Sequence, residues 1–560
     1  PAMASKGHNA SKASVMLQAV TASTLPPRTA AVASAPKRPV TEASEPLSKS
    51  AAKRAKRARV AAAMPAETKK QQVSLKDCDA ELFGGTAAVR PKYAHAEEVS
   101  DKEASAFVAK HEIAITTTGD AAARPCTALD RAPFPPPLVK LLLAQRFRDP
   151  TPVQAATWPL VMMGRDVLAV AKTGAGKTLG YLLPALTFCH ESLGRSAGKP
   201  SAGKPRCLVM APTRELVLQI TGQARQYGAC LRCRAVAVYG GTPKWEQAAE
   251  LEAGCEIVVA TPGRLLDFLG KYRSTADGVA ATDTSKHAPA TSLAHCTLLV
   301  LDEADAMLEL GHEQDISATV AAMPKGGRRQ TLLFTATWSA VIERLASQLL
   351  ARTHFRVTVA GVRGGRSDQP VANTAVRQRV HVVEPRDKWR AFKDLLAPFK
   401  AGRSEAASRV LVFANTRADV EAIGAHCEQH RMSSDTISRD RSQEEREEVL
   451  RRFRTGAVRV LVATDVAARG LDVPGIQRVI NFDFPSGAGG AAQYVHRIGR
   501  TGRAGATGQA DTLFTTAEPK QSAAQLVRIL AEAGQPVPDQ LAAMARKAGL
   551  SLKSVFAKPS

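Results

Sequence analysis

The chain is 560 residues long, 44% hydrophobic and 23% charged, which is enough apolar material for about three packed domains and excludes collagen-like, wholly disordered and small disulfide-stapled classes. No run approaches the roughly 18 consecutive apolar residues of a membrane span, so the chain reads as soluble, with no membrane partner. A net charge of +24 calls for a polyanionic partner, nucleic acid first, while aromatics at only 5% argue against base stacking as the main binding mode.

The N-terminal stretch is the most biased. Residues 1–70 carry 13 Lys/Arg against three Glu and contain no Phe, Trp or Tyr. A segment of that kind cannot bury enough surface to offset its ordering entropy, and a disordered basic extension is expected over residues 1–125. Within it, PKRP at 36–39 and KRAKRAR at 53–59 are either a solvated tail or an import signal and nonspecific RNA tether. The apolar-leaning run Val15–Val20 is too polar for a signal peptide.

From residue 126 short β-branched or Leu-rich runs alternate with helical periodicity. Candidate strands are Val167–Ala171, Cys207–Ala211, Ile257–Ala260, Leu298–Leu301 and Thr331–Thr335, then Val410–Ala414, Val458–Ala463 and Val479–Phe482. Apolar runs with helices between them read as parallel sheets covered on both faces. The Gly-rich stretch 361–370 divides the two series. The expected architecture is therefore α/β, with domains at 126–360 and 377–535, a linker at 361–376 and a short tail at 536–560. The tandem SAGKP repeat at 196–205 and the aperiodic 271–293 read as surface loops.

The strand at 167–171 runs into AKTGAGKT (Ala171, Lys172, Thr173, Gly174, Ala175, Gly176, Lys177, Thr178), followed by helical periodicity. Glycines let backbone N–H groups close around phosphate oxygens, Lys177 neutralises the β/γ phosphates, and Thr178 ligates Mg²⁺. Ala171 stands where the strict pattern has Gly. A phosphate loop needs a carboxylate at the end of a neighbouring strand. Asp302-Glu303-Ala304-Asp305 follows Leu298–Leu301 and supplies it: Asp302 to hold Mg²⁺, Glu303 to polarise an attacking water.

The nine cysteines are odd in number and scattered, which suits a reducing compartment. Cys230 and Cys233 form the one CxxC, without the second ligand pair that zinc requires.

With these residues in place the chain resembles the DEAD-box RNA helicases. AKTGAGKT at 171–178, PTREL at 212–216, TPGR at 261–264, DEAD at 302–305 and TAT at 335–337 occur in that family's order, completed by TDVAARGLD at 464–472 and HRIGRTGR at 496–503. The resemblance covers about residues 126–535 and implies two tandem RecA-like domains that hydrolyse ATP when RNA is bound.

It also implies roles for residues that composition and spacing leave silent. Phe147 to Gln154 resembles the adenine-reading Q motif, with Gln154 on the base. Arg146 stands where the family carries Gly, and Leu129 where it carries a stacking aromatic, with Phe134 five residues on. Arg500 and Arg503 match arginine fingers, three residues apart and so on one helical face. Asp472 matches a ribose contact, and Asp305, Thr335, Thr337 and His496 match groups that couple the domains. RNA phosphates are expected at Pro212, Thr213, Arg214 and Gly241, and at Thr261, Pro262, Gly263 and Arg264. In the second domain the matches are Arg417, Gln443, Arg446, Thr464, Asp465 and Gly470. Such contacts read phosphate and sugar, so binding is independent of base sequence.

Expected activity is RNA-dependent ATP hydrolysis with local duplex separation; the alternatives are an ATP-gated RNA clamp with little unwinding, and a DNA helicase. Thr335-Ala336-Thr337-Trp338 resembles the ATW-bearing branch that includes nucleolar ribosome-assembly members. That resemblance implies nuclear, nucleolar residence, pre-ribosomal RNA and assembly-factor proteins as partners, and a monomeric core.

Overall fold

The computed structural model describes residues 99–550 except 118–123, 196–202, 271–289, 360–371, 439–440, 466–472, 503–505 and positions 326, 401, 403–404, 406–407, 474, 486 and 488. The basic clusters, the 361–370 linker and most of both surface loops lie outside the described residues.

Fourteen strands are described, in two sheets. The first eight are β1 (Ile113–Thr117), β2 (Val167–Val170), β3 (Cys207–Met210), β4 (Ala235–Val238), β5 (Ile257–Ala260), β6 (Leu298–Leu301), β7 (Gln330–Thr335) and β8 (Phe355–Val359). They lie in the order β1-β8-β2-β7-β6-β3-β5-β4, all parallel except β1. The other six are β9 (Val376–Val383), β10 (Val410–Phe413), β11 (Ser434–Ile437), β12 (Val460–Ala463), β13 (Arg478–Asn481) and β14 (Gly508–Thr515). Their order is β11-β12-β10-β13-β14-β9, parallel throughout.

The continuous apolar runs are explained by burial on both faces. In β2, Val167 and Ala169 enter one core while Leu168 and Val170 enter another. In β10, Leu411 and Phe413 face one core and Val410 and Val412 the other. Alternate side chains point to opposite faces, so a strand covered twice has no polar position to spare. The segments called strands by their apolar runs are strands, within about two residues at the ends.

Two boundaries need correction. The expected disordered extension, 1–125, includes a helix at Asp101–Lys110, capped by Ser100, whose side chain accepts from Glu103 N. It also includes β1, which pairs antiparallel with β8 through Ile113↔Val359 to Thr117↔Phe355 and buries Ile113. β1 is a five-residue edge strand, Ile-Ala-Ile-Thr-Thr, whose exposure alternates along it, so it lacks the long apolar run that marks its neighbours. At the other end, the expected tail contains the helix Asp539–Arg546, which buries Leu541 and Ala545 in the second lobe's core. Strands β9 and β14 lack an apolar run for a related reason: Arg379 and His381 of β9, with Arg478 of the neighbouring β13, surround the buried Asp511 of β14 and break the hydrophobic pattern.

Among the described residues no helix is long and apolar enough to cross a membrane. The described cysteines are free thiols, and among the described residues there is no group of three or more His, Cys, Asp or Glu placed to hold a metal.

Candidate functional site

Strand order sorts the chemistry. The β2, β7 and β6 neighbours end in the phosphate loop, TAT and DEAD, whereas β3, β5 and β4 end in PTREL, TPGR and Gly240-Gly241. In a parallel sheet, loops at the C-terminal strand ends share one rim. One stretch of that rim therefore suits nucleotide and the other suits a second ligand.

The phosphate loop turns through Gly174 and Gly176 (φ 77° and 86°). Lys177 is buried, and its Nζ donates to Ala171 O at 2.8 Å, closing the loop on itself. Lys172, Thr173, Ala175 and Thr178 complete the rim of this loop. Gln154 is buried beneath it: its Oε1 accepts from Thr151 N (3.0 Å) and its Nε2 donates to Gly176 O (2.9 Å). The amide thus ties the expected base-reading helix to the phosphate loop, and one N–H and one lone pair remain for an adenine edge. The aromatic expected nearby is not there. Phe134 packs edge-on against Trp158 at 4.9 Å, and both it and Leu129 are core residues.

Asp302 lies one strand beyond β7. It is fully buried, its Oδ2 accepts from Tyr181 OH at 2.7 Å and its Oδ1 from Glu303 N at 3.0 Å. Burial, reinforced by Glu303, pushes its pKa to about 6 against the pull of Lys177. Glu303 adopts a left-handed backbone (φ 50°, ψ 51°) at the start of the helix Ala304–Glu309. Such strain costs on the order of 1 kcal/mol and persists where the surroundings impose it. Its Oε2 is buried with no hydrogen-bond partner among the described residues. A carboxylate oxygen held without a donor is suited to accept a proton from water.

Asp305 points away from these two, toward the TAT turn and the second lobe. Its Oδ2 accepts from Thr337 Oγ1 (2.9 Å), Thr337 N (3.0 Å) and Ala336 N (3.2 Å). Thr335 Oγ1 donates to Thr337 O at 3.0 Å and braces the turn. Across the cleft His496 Nε2 lies 3.4 Å from the same carboxylate oxygen. Burial works against both charges, yet each stabilises the other, so Asp305 titrates below and His496 above its ordinary value.

The end of the helix Gly490–Ile498 also meets the phosphate loop. A Cβ on Gly499 would sit 1.9 Å from Thr173 Oγ1, so only glycine fits there. Arg500 follows immediately and is buried. Arg503 and Asp472 lie outside the described residues.

Two family models match the chain: "DEAD/DEAH box helicase" over residues 151–345 and "Helicase conserved C-terminal domain" over 387–505. The chain is 41% identical over 465 residues to the DEAD-box ATP-dependent RNA helicase 14 of Arabidopsis thaliana, covering 83% of this chain and 68% of that one. It is 42% identical to the DEAD-box ATP-dependent RNA helicase 40 of Oryza sativa subsp. japonica, covering 80% of this chain and about half (51%) of that longer protein. The fold matches S. cerevisiae Dbp5 bound to RNA and ADP BeF3 with a TM-score of 0.59 at 23% identity, over 77% of this chain and all (100%) of that one.

The chain belongs to the DEAD-box family of ATP-dependent RNA helicases.

In this DEAD-box chain the residues expected on RNA divide into three groups. Pro212, Thr213, Thr261, Pro262 and Gly263 sit at the ends of β3 and β5, with Thr213 and Thr261 beginning helices. Arg264 donates to Thr242 O through both terminal nitrogens (3.2 Å each), locking the TPGR loop to the Gly240-Gly241 loop. Gly241 has φ 89°, and the Arg214 guanidinium lies where any Cβ would be.

The second group bridges the lobes. Arg214 Nη1 donates to Gln443 Oε1 at 3.2 Å, and Arg446 Nη2 forms a buried ion pair with Glu215. In the third group both carboxylate oxygens of Asp465 accept from Arg497 (2.6 and 2.5 Å), so this side chain positions a buried arginine. Arg417 begins the helix Arg417–Gln429 and pairs with Glu421 at 2.6 Å. Thr464 precedes Asp465 at the end of β12, and Gly470 lies outside the described residues.

Several positioning residues were not anticipated. Arg497 also donates to Asp483 O and Asn415 Oδ1, at 2.6 Å each, tying three strand ends together. Its position inside HRIGRTGR was the available signal. Tyr181 holds Asp302, and the signal was its spacing one helical turn after Lys177. Gln247 brackets the Gly240-Gly241 loop, accepting from Tyr239 N and donating to Tyr239 O, both at 3.0 Å. Nothing in the sequence marked it.

Proposed function

We propose that the chain is an RNA-dependent ATPase that separates short RNA duplexes locally, by closing its two lobes around ATP and an RNA strand. The observation carrying this reading is the His496–Asp305 contact. It ties the nucleotide-side DEAD segment to the HRIGRTGR segment, so the closed state is sensed at the phosphate site. ATP phosphates would lie in the 171–178 loop against Lys177, with Arg500 and Arg503 delivered by the second lobe and Glu303 accepting a proton from the attacking water.

The donor set suits Mg²⁺: the Thr178 hydroxyl and the Asp302 carboxylate are hard oxygen ligands, and the elevated pKa of Asp302 marks a buried site that a cation would satisfy. Those two residues would hold it, and bound Mg²⁺ would neutralise phosphate charge. The RNA partner would lie along Pro212–Arg214, Gly241 and Thr261–Arg264, continuing to the second lobe.

The test is ATP turnover with and without RNA, paired with separation of a short RNA duplex. Glu303→Gln should lower turnover at least 100-fold while ATP and RNA binding persist. Turnover without strand separation would favour the clamp reading, and equal stimulation by DNA would favour a DNA helicase.

The physiological RNA is proposed to be pre-ribosomal, in the nucleus and nucleolus, with assembly-factor proteins as further partners. Support comes from the ATW sequence at 336–338 and the basic cluster at 53–59. A fluorescent fusion that stays cytoplasmic, with unchanged pre-ribosomal RNA after depletion, would refute it.

A further inference from the structure

The chain holds four tryptophans. Trp158 is core, and Trp338 and Trp389 are half-buried. Trp245 is 70% exposed, the most exposed of the large apolar side chains among the described residues. It stands in the first turn of the helix Lys244–Glu252, three residues after Thr242. An indole left in water forfeits the gain of burying its rings, so its neighbourhood bears on what it meets.

That neighbourhood is the rim proposed above to hold RNA phosphates. Arg264 bonds Thr242 O, three residues before Trp245, and Lys244 pairs with Asp267 at 2.9 Å, linking the same helix start to the helix Pro262–Phe268. Gln247, half a turn on, bonds Tyr239 and Thr242 and is itself buried. The indole is therefore carried on a braced helix start that adjoins the Gly240-Gly241 loop and is tied to the TPGR segment. Lys244 before it is paired with Asp267 and Glu246 after it is exposed, while Ala248 and Ala249 lie one turn along, so what this position offers is a flat apolar ring beside the two loops.

We propose that Trp245 is an RNA base-stacking residue, receiving one base of the strand whose phosphates run over Gly240-Gly241 and Thr261–Arg264. The proposal rests on the RNA-binding reading above and adds to it a contact with a base face. Stacking is tolerant of base identity because every base has a π-face, so binding gains affinity without acquiring a sequence code.

The full chain would be titrated with a labelled ten-nucleotide oligouridine RNA, in the presence of Mg²⁺ and a non-hydrolysable ATP analogue. Trp245→Ala should weaken binding about tenfold and Trp245→Phe by less than about threefold, with thermal unfolding unchanged because the side chain is exposed. In a scan that removes one base at a time, base loss at one position should weaken the unaltered chain about as much and add nothing to Trp245→Ala. Unchanged affinity in Trp245→Ala, or a loss that persists with every single-base-deleted RNA, overturns the stacking proposal and leaves the RNA reading intact. Absence of RNA binding by the unaltered chain overturns both. Capture of a protein through Trp245 with unchanged RNA affinity would likewise overturn it.

Discussion

Asp302, Glu303 and Asp305 are three carboxylates within four residues, each given a different task by its surroundings. Asp302 is wrapped by Tyr181 and buried, Glu303 is aimed by a left-handed turn, and Asp305 is claimed by Thr337 and His496. The pKa of Asp302 has a measurable consequence. The unfolded carboxyl ionises near 3.8 and the folded one near about 6. The fold therefore keeps this proton to higher pH, and the group's contribution to stability, complete below 3.8, is lost as pH rises through 6. At neutral pH the loss is about 3 kcal/mol. Asp302→Asn should relieve it in the nucleotide-free protein. The stability of the variant relative to the unaltered chain should be about 2 kcal/mol more favourable at pH 8 than at pH 4.5, read from urea unfolding at both values. A difference independent of pH would remove Asp302 as the titrating group. Its ATP turnover should be lost at every pH.

The helix Pro136–Ala144 ends in a way that illustrates local conflict. Phe147 N bonds Leu142 O and Arg146 N bonds Leu143 O, a helix end that puts Arg146 at φ 64°. That conformation favours glycine, and it is the position at which the family resemblance had flagged Arg146 in place of Gly. The departure thus carries a backbone cost. Arg146→Gly should stabilise the chain by roughly 1 kcal/mol, a rise in unfolding midpoint of about 2–4 °C. No gain would mean that Arg146 makes a compensating contact through its guanidinium. The capped helices behave as their sequences dictate: Ser442 and Glu445 bond each other's backbone N–H groups, the reciprocal pair that opens Gln443–Thr455.

Closure of the two lobes is recorded in contacts that include Asp305 with His496, Arg446 with Glu215, Arg214 with Gln443, and Gly499 against Thr173. The Glu215–Arg446 pair is nearly dry, with 7% of each side chain exposed. Removing one partner of such a pair leaves a buried charge and costs about 3–5 kcal/mol, a cost the molecule avoids by opening. Glu215→Arg should therefore lower RNA-stimulated turnover at least tenfold, by shifting the lobes apart. The exchanged pair, Glu215→Arg with Arg446→Glu, should recover most of it. If the double variant is no better than the single one, the contact is not what holds the lobes closed.

Sequence alone determined the two α/β units and the nucleotide-site motifs, because each rests on local order. A strand buried on both faces must be an apolar run, and a phosphate loop must place Gly and Lys a fixed few residues apart. The family resemblance placed Gln154, Asp305 and His496 on the same ground, contiguous motifs. What tertiary structure decided are relations between segments far apart in the chain. It put β1 on β8, a pairing that the short run Ile-Ala-Ile-Thr-Thr does not announce. It spent the carboxylate of Asp465 on Arg497, and it set Gln443 and Arg446 against Arg214 and Glu215. It also left Trp245 in water beside the Gly240-Gly241 loop while burying Trp158. An indole has one composition and two fates, and only the packing around it chooses between them.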